Sequence, residues 1–175
     1  MFHLSTLSHL AANAKNALVP RTPLTPLQNL QQINSSITKL TNLISTWSGS
    51  SLLSAAPISS QSATLSVELK NAIGDVKVSS PLSSSSSSLL LEYITSTLRP
   101  NIEKCMHTMK SRKEEFGKCG LGGTVSGDLR DLRKLTGELG RSLRERVKKE
   151  EEDESEKVMR LIDEDFEDAI QWFAS

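Results

Sequence analysis

Aromatic residues are scarce, at 4% of the chain. That shortage excludes an aromatic-rich β-sandwich and a base-stacking surface. Net charge is also absent, because 21 Lys and Arg balance 21 Asp and Glu. A nucleic-acid binder needs a basic excess to release counterions from phosphates, so nucleic acid is not expected as a partner. No stretch approaches the roughly 18–20 uninterrupted apolar residues of a membrane span, so no transmembrane segment is expected. Cysteine is limited to Cys105 and Cys119, without CxxC spacing, and His3, His9 and His107 do not cluster in sequence. No metal site follows from such a set. A helix running from Cys105 towards Phe116 carries the chain roughly 16 Å away at 1.5 Å per residue. A disulfide needs Cα atoms within about 7 Å, so two unpaired thiols are expected. Neither a Gly-x-Ser-x-Gly elbow nor His-Glu-x-x-His occurs, and no cofactor motif does either. The acids Asp163, Glu164, Asp165 and Glu167 read as the solvated face of a helix. The chain is read as non-enzymatic.

What is present is length for one domain, 175 residues, and a strong helical period. Residues 1–100 carry six basic and three acidic side chains, whereas residues 101–175 carry 15 and 18. Leu27, Leu30, Ile33, Ile37, Leu40, Ile44 and Trp47 mark one face of a first helix, ended by Ser48-Gly49-Ser50. Leu65, Leu69, Ile73 and Val76 give a second, shorter and weaker. Leu91, Ile94, Leu98, Ile102, Met106 and Met109 mark a third that continues to Phe116. Pro100 interrupts it, and a kink or break is expected near Arg99. Leu129, Leu132, Leu135, Leu139, Leu143 and Val147 give a fourth. Val158, Leu161, Ile162, Phe166, Ile170 and Phe173 give a fifth. No window alternates as a strand does. The fold class is therefore all-α, a single bundle of about five amphipathic helices whose stripes face one another.

Five glycines crowd residues 117–127. A phosphate loop needs a preceding strand and G-x-x-x-x-G-K-[ST], and Gly117-Lys118 is not followed by Ser or Thr. Gly120, Gly122 and Gly123 do not complete G-x-G-x-x-G. Helices flank both sides, so a hinge is expected. Gly117 and Gly120 close the third helix, Thr124 or Ser126 caps the fourth, and Asp128 lies in its first turn. The tract Ser83 to Ser88 reads either as a flexible linker, glycosylated if exported, or as a serine cap with Ser86–Ser88 in the first helical turn. Residues 1–26 read as a disordered N-terminal segment or a degenerate signal peptide, because the apolar run is broken by Ser5, Thr6, Ser8 and His9. Residues 27–175 form the bundle. Asn34-Ser35-Ser36 is an N-glycosylation sequon placed inside the first helix.

The order of these stretches carries a resemblance. Lys113 and Phe116 close a helix, Leu129 and Leu132 open the next, and Ile162-Asp163, Phe166 and Ala169-Ile170 form the core of the last. From roughly Leu27 to Phe173 the chain resembles the fungal hydrophobic surface-binding proteins and cell-wall galactomannoproteins. The resemblance implies a secreted or wall-associated, non-catalytic bundle. Some members of that family adsorb to hydrophobic surfaces and some hold long-chain fatty acids inside the bundle. Two departures stand out: the poor signal, and the charged stretch Lys148 to Lys157, which reads as a solvated turn.

Burying an alkyl chain is worth about 0.8 kcal/mol per methylene. A cavity between helices could therefore hold a long-chain fatty acid or other lipid without special chemistry. Its candidate lining is Ile33, Ile37, Leu40, Ile94, Leu98, Leu132, Leu139, Ile162 and Phe166. The carboxylate needs a polar partner at the mouth, with Tyr93, Ser or Thr hydroxyls, or Lys and Arg at helix ends as candidates. The alternatives are a filled core in a structural or antigenic wall mannoprotein, and an intracellular helical interaction module if the chain is not exported.

Overall fold

A computed structural model of the protein describes residues 21–174. The expectation for residues 1–20 lies outside the described residues. Residues 21–25, assigned from sequence to the N-terminal segment, are instead tied to the bundle. Asp75 accepts from Arg21 Nη2 at 2.7 Å and from the Leu24 amide at 3.0 Å. Helix α1 (Pro26–Thr46) opens on a full capping box. The Thr25 hydroxyl accepts from the Gln28 amide, the Gln28 side chain accepts from the Thr25 amide, and Pro26 sits at the first helical position, where its missing N–H costs nothing. Gly49, at φ +65°, turns the chain after α1.

Helix α2 (Ala56–Val78) follows a 3₁₀ turn at Leu53–Ala55. It is as long as the other long helices, not the short element its stripe suggested, because the polar turns before Leu65 still pack Ile58 into the core. Helix α3 (Ser84–Tyr93) begins inside the serine tract, where Ser83 caps it by accepting from the Ser86 amide. The tract is thus a cap and first turns, and the linker shrinks to a few residues. The Ser87 side chain is fully buried and accepts from the Lys148 amide.

Pro100 does not break the third rod. A π turn at Ile94–Leu98 joins α3 directly to α4 (Arg99–Ser111). The Arg99 amide reaches back five residues to the Ile94 carbonyl. The Thr95 and Ser96 hydroxyls bond the Leu91 and Glu92 carbonyls. Widening the turn shifts the bonding register just before the proline, and the two hydroxyls serve carbonyls in the turn that precedes it. The rod ends at Ser111, earlier than expected, and Phe116 lies on a separate short helix, α5 (Lys113–Lys118). Gly120, at φ +71°, then makes the left-handed closure expected of it, with the Leu121 amide bonded to the Phe116 carbonyl at 2.8 Å.

Helix α6 (Gly122–Arg144) starts earlier than its sequence reading. Neither Thr124 nor Ser126 caps it: Leu121 is the cap residue, without a side-chain bond, and the Ser126 hydroxyl is buried and unpartnered. Asp128 is therefore past the first turn. The tight Gly120 closure leaves no room for a longer loop, and burial of Val125 extends the apolar stripe backwards. A 3₁₀ turn at Lys149–Glu151 leads into α7 (Glu152–Ala174), so much of the expected charged turn is helix.

The five long helices close a ring. Helix α1 packs on α2, α2 on α6, α6 on α7, α7 on α4, and α4 back on α1. The Arg133 pairs with Asp163 and Glu167, and the 3.6 Å pair Arg144–Glu156, run α6 and α7 antiparallel. Among the described residues every element is helical, and no helix is long and apolar enough to cross a membrane.

Candidate functional site

Closing a ring of amphipathic helices turns every stripe towards one axis. The result is an apolar seam lined from all five long helices. Ile33, Ile37 and Leu40 reach it from α1, Ile94 and Leu98 from the π turn, Leu132 and Leu139 from α6, and Ile162 and Phe166 from α7. Nine of the ten side chains singled out from sequence thus meet in one place. Tyr93 does not join them. It packs half-buried at the core's edge, where burial raises its hydroxyl pKa and a hydrogen bond with Asn34 opposes the rise. Sequence reasoning left out Leu65 and Leu69 of α2, Ile102, Met106 and Met109 of α4, and Met159 of α7. Most of these stand on the same stripes and were legible there. Met159 was legible too, three residues before Ile162 and seven before Phe166, although the stripe reading passed over it.

The seam is narrow. Its volume is about 50 Å³, on the scale where a single water occupies roughly 10–15 Å³. Its lining is aliphatic apart from Phe166, the thiol of Cys105, the thioethers of the methionines and the hydroxyl of Thr136. Cys105 is buried, and burial pushes its thiol up, away from reactivity. Cys119 is the other free thiol.

Two wider spaces share walls with the seam. One, of about 330 Å³, lies between α6 and α7 and shares Thr136, Gly140, Met159, Ile162 and Phe166 with it. Arg133, Arg141, Arg144 and Arg160 line this groove against Glu156 and Asp163. The other, of about 240 Å³, lies beside the α1–α2 connection and shares Leu40, Met109, Leu129 and Leu132. Its one charged wall residue is Asp128, whose carboxyl is pushed up by burial and by nearby Asp131. One opening is basic and the other carries an acid.

Arg133 is the fixed element of the basic groove. Its guanidinium holds both Asp163 oxygens, at 2.6 and 2.8 Å, and also bonds Glu167. Arg133 keeps the Asp163 carboxyl below its ordinary range despite partial burial. The sequon geometry is equally plain. Asn34 accepts from Asn101 at 2.8 Å, and Ser36 is buried. Among the described residues no three His, Cys, Asp or Glu side chains converge as metal ligands.

Known proteins share this arrangement. A family model described as Hydrophobic surface binding protein A matches residues 25–145. A sequence search of curated proteins finds no significant match. Among solved structures, AFMP4P in complex with palmitic acid superposes with a TM-score of 0.81 at 26% identity, covering 85% of this chain and 97% of that one. Ligand binding domain 1 of the Penicillium marneffei MP1 protein, complexed with arachidonic acids, gives 0.79 at 16% identity over 83% and 94% of the two chains. Ligand binding domain 2 of the same protein, complexed with multiple arachidonic acids, gives 0.79 at 21% over 85% and 93%. At those identities the two domains establish a common fold.

Proposed function

The chain belongs to the Hydrophobic surface binding protein A family, and from that premise we propose that it is a non-catalytic protein that takes a long-chain fatty acid into the seam of its helical ring. The single observation that carries this reading is the seam itself: five helices direct an aliphatic lining at one axis, flanked by two wider spaces that share its walls. The solved relative at 26% identity holds palmitic acid on the same fold.

Ligand pockets commonly measure about 300–1,000 Å³, so the seam at about 50 Å³ is a closed form. Entry of an alkyl chain requires the helices to part. Each methylene transferred from water contributes about 0.8 kcal/mol, which opposes the packing lost on opening. Unbranched Met106, Met109 and Met159 suit such a site, because thioether chains repack with little strain. The same family membership supports export to the cell surface or wall as the working location. A second reading rests on the α1–α2 connection, where adjacent Leu52 and Leu53 are 60% and 84% exposed. That apolar tip suits contact with a hydrophobic surface.

Native mass spectrometry of the protein from its own host, followed by organic extraction, tests the main reading. A stoichiometric fatty acid is the expected result. A bare mass, with no displacement of a fluorescent fatty acid on titration, would mean that the stripes only pack, as in a structural wall component. Finding the chain inside the cell would favour an interaction module.

A further inference from the structure

We propose that the groove between α6 and α7 is the doorway and headgroup site of the lipid, with Met159 as its movable plug and Arg141 and Arg144 as the cations that hold the carboxylate. This rests on the fatty-acid reading above and adds which end of the seam the acid occupies.

Three observations converge on the groove. The first is adjacency, because Thr136, Gly140, Met159, Ile162 and Phe166 form the wall between seam and groove. The second is how that wall is closed. A Cβ built on Gly140 would lie 2.3 Å from Met159 Cε and 2.8 Å from its Sδ. The end of the Met159 side chain therefore occupies the notch that the missing side chain of Gly140 leaves. Only rotations about an unbranched chain are needed to clear it, with no movement of backbone.

The third observation is charge. Four arginines face two carboxylates in the groove. Arg133 is committed to Asp163 and Glu167, and Arg160 to Glu164. Arg144 lies 3.6 Å from an exposed Glu156, a pairing that solvent weakens. Arg141 folds over Gly137, with Nη1 3.7 Å from the position of a Cβ there; it makes no close ion pair among the described residues, only a longer-range attraction to Glu138. A fatty carboxylate emerging past Met159 would meet these two guanidiniums, and the Thr136 hydroxyl lies in the wall it passes. The other opening presents Asp128, which repels a carboxylate. The acid is thereby directed to α6–α7 and the methyl end towards α1–α2.

Equilibrium titration of the full chain with palmitate and with methyl palmitate tests the proposal. The wild type should prefer the acid, and Arg141→Glu with Arg144→Glu should weaken palmitate by about tenfold or more while leaving the ester unchanged. Thermal melts check that the variant folds, and Arg141→Gln with Arg144→Gln replaces it if it does not. Met159→Ala should speed palmitate uptake and release together. Equal palmitate affinity in the wild type and the arginine variants would overturn the headgroup site while leaving fatty-acid binding intact. Unchanged exchange rates in Met159→Ala would overturn the plug. A wild type that binds neither probe would overturn both the doorway and the fatty-acid reading.

Discussion

Two regions of the ring bury apolar side chains in opposite ways. Where α1, α5 and α7 meet, Trp47 lies tilted against Phe116, with centroids 4.7 Å apart, and Phe116 meets Phe173 edge to face at 5.9 Å. Phe116 is 1% exposed, and Trp47 Nε1 satisfies its polarity on Ser54 at 2.8 Å. Aromatic rings have few rotamers, so this corner is stiff, even where Phe116 also borders the space of about 240 Å³ beside the α1–α2 connection. Across the α6–α7 line the sequence places Gly140 opposite Met159. A glycine inside a helix costs about 1 kcal/mol relative to alanine, and a thioether specifies no single packing. Stability is concentrated at the aromatic corner, and adaptability at the groove. The proposed fatty-acid site needs both, since a bundle that opens everywhere would unfold.

Substitutions can break this contrast. The largest effect is expected at the aromatic corner. Phe116→Ala should lower stability by about 3–5 kcal/mol, read as a fall in Tm of roughly 10 °C. A loss below about 1 kcal/mol would show that the corner is no anchor.

The next effect concerns Asp75, whose side chain is 8% exposed. Burial alone would raise its carboxyl. Arg21, the Leu24 amide and Asn29 together bring it below the ordinary value of 3.8. A depressed folded-state pKa contributes stability that is present above the unfolded value and lost as pH falls through the folded one. Asp75→Asn should therefore cost about 1–3 kcal/mol near neutral pH, with the gap from wild type closing as pH drops below about 4. Asp163 in the groove is also depressed, by Arg133, but its side chain is 54% exposed. Asp163→Asn should cost no more than about 1 kcal/mol and less in high salt. An equal acid response at the two positions, measured by denaturant unfolding across pH, would remove the distinction.

The smallest effect should come from Gly140→Ala. The helix gains about 1 kcal/mol, while the new Cβ displaces the flexible end of Met159. The two nearly cancel, and denaturant midpoints should agree within about 1 kcal/mol. A large loss would mean that Met159 cannot move, against its role as a plug.

Much of this was legible residue by residue. The stripe Leu27 to Trp47 names α1 because backbone bonding at four-residue spacing forces those side chains onto one face. Gly120 was legible as a helix terminator, since few residues besides glycine tolerate the left-handed conformation. The box Thr25-Pro26-Leu27-Gln28 was there to be read and would have placed the start of α1. Other features were not legible. Pro100 signals a break in any isolated helix, and only the π turn and the packing of Ile94 and Leu98 show how the rod survives it. The start of α6 depended on how tightly Gly120 folds the chain back. Met159 falls on the α7 period, but its meeting with a glycine on another helix is written in no period.

By itself the amino-acid order determined the helices, their apolar faces, the all-α class and most of the seam's lining. Those follow from local interactions, in which each residue deals with neighbours within a turn or two. The tertiary structure alone decided the order of the ring, the narrowness of the seam, the bond from Asp75 to Arg21 and Leu24, and the meeting of Gly140 with Met159. One apolar stripe packs almost as well against any other. The choice among pairings rests on shape and charge summed over the whole bundle, which no local period contains.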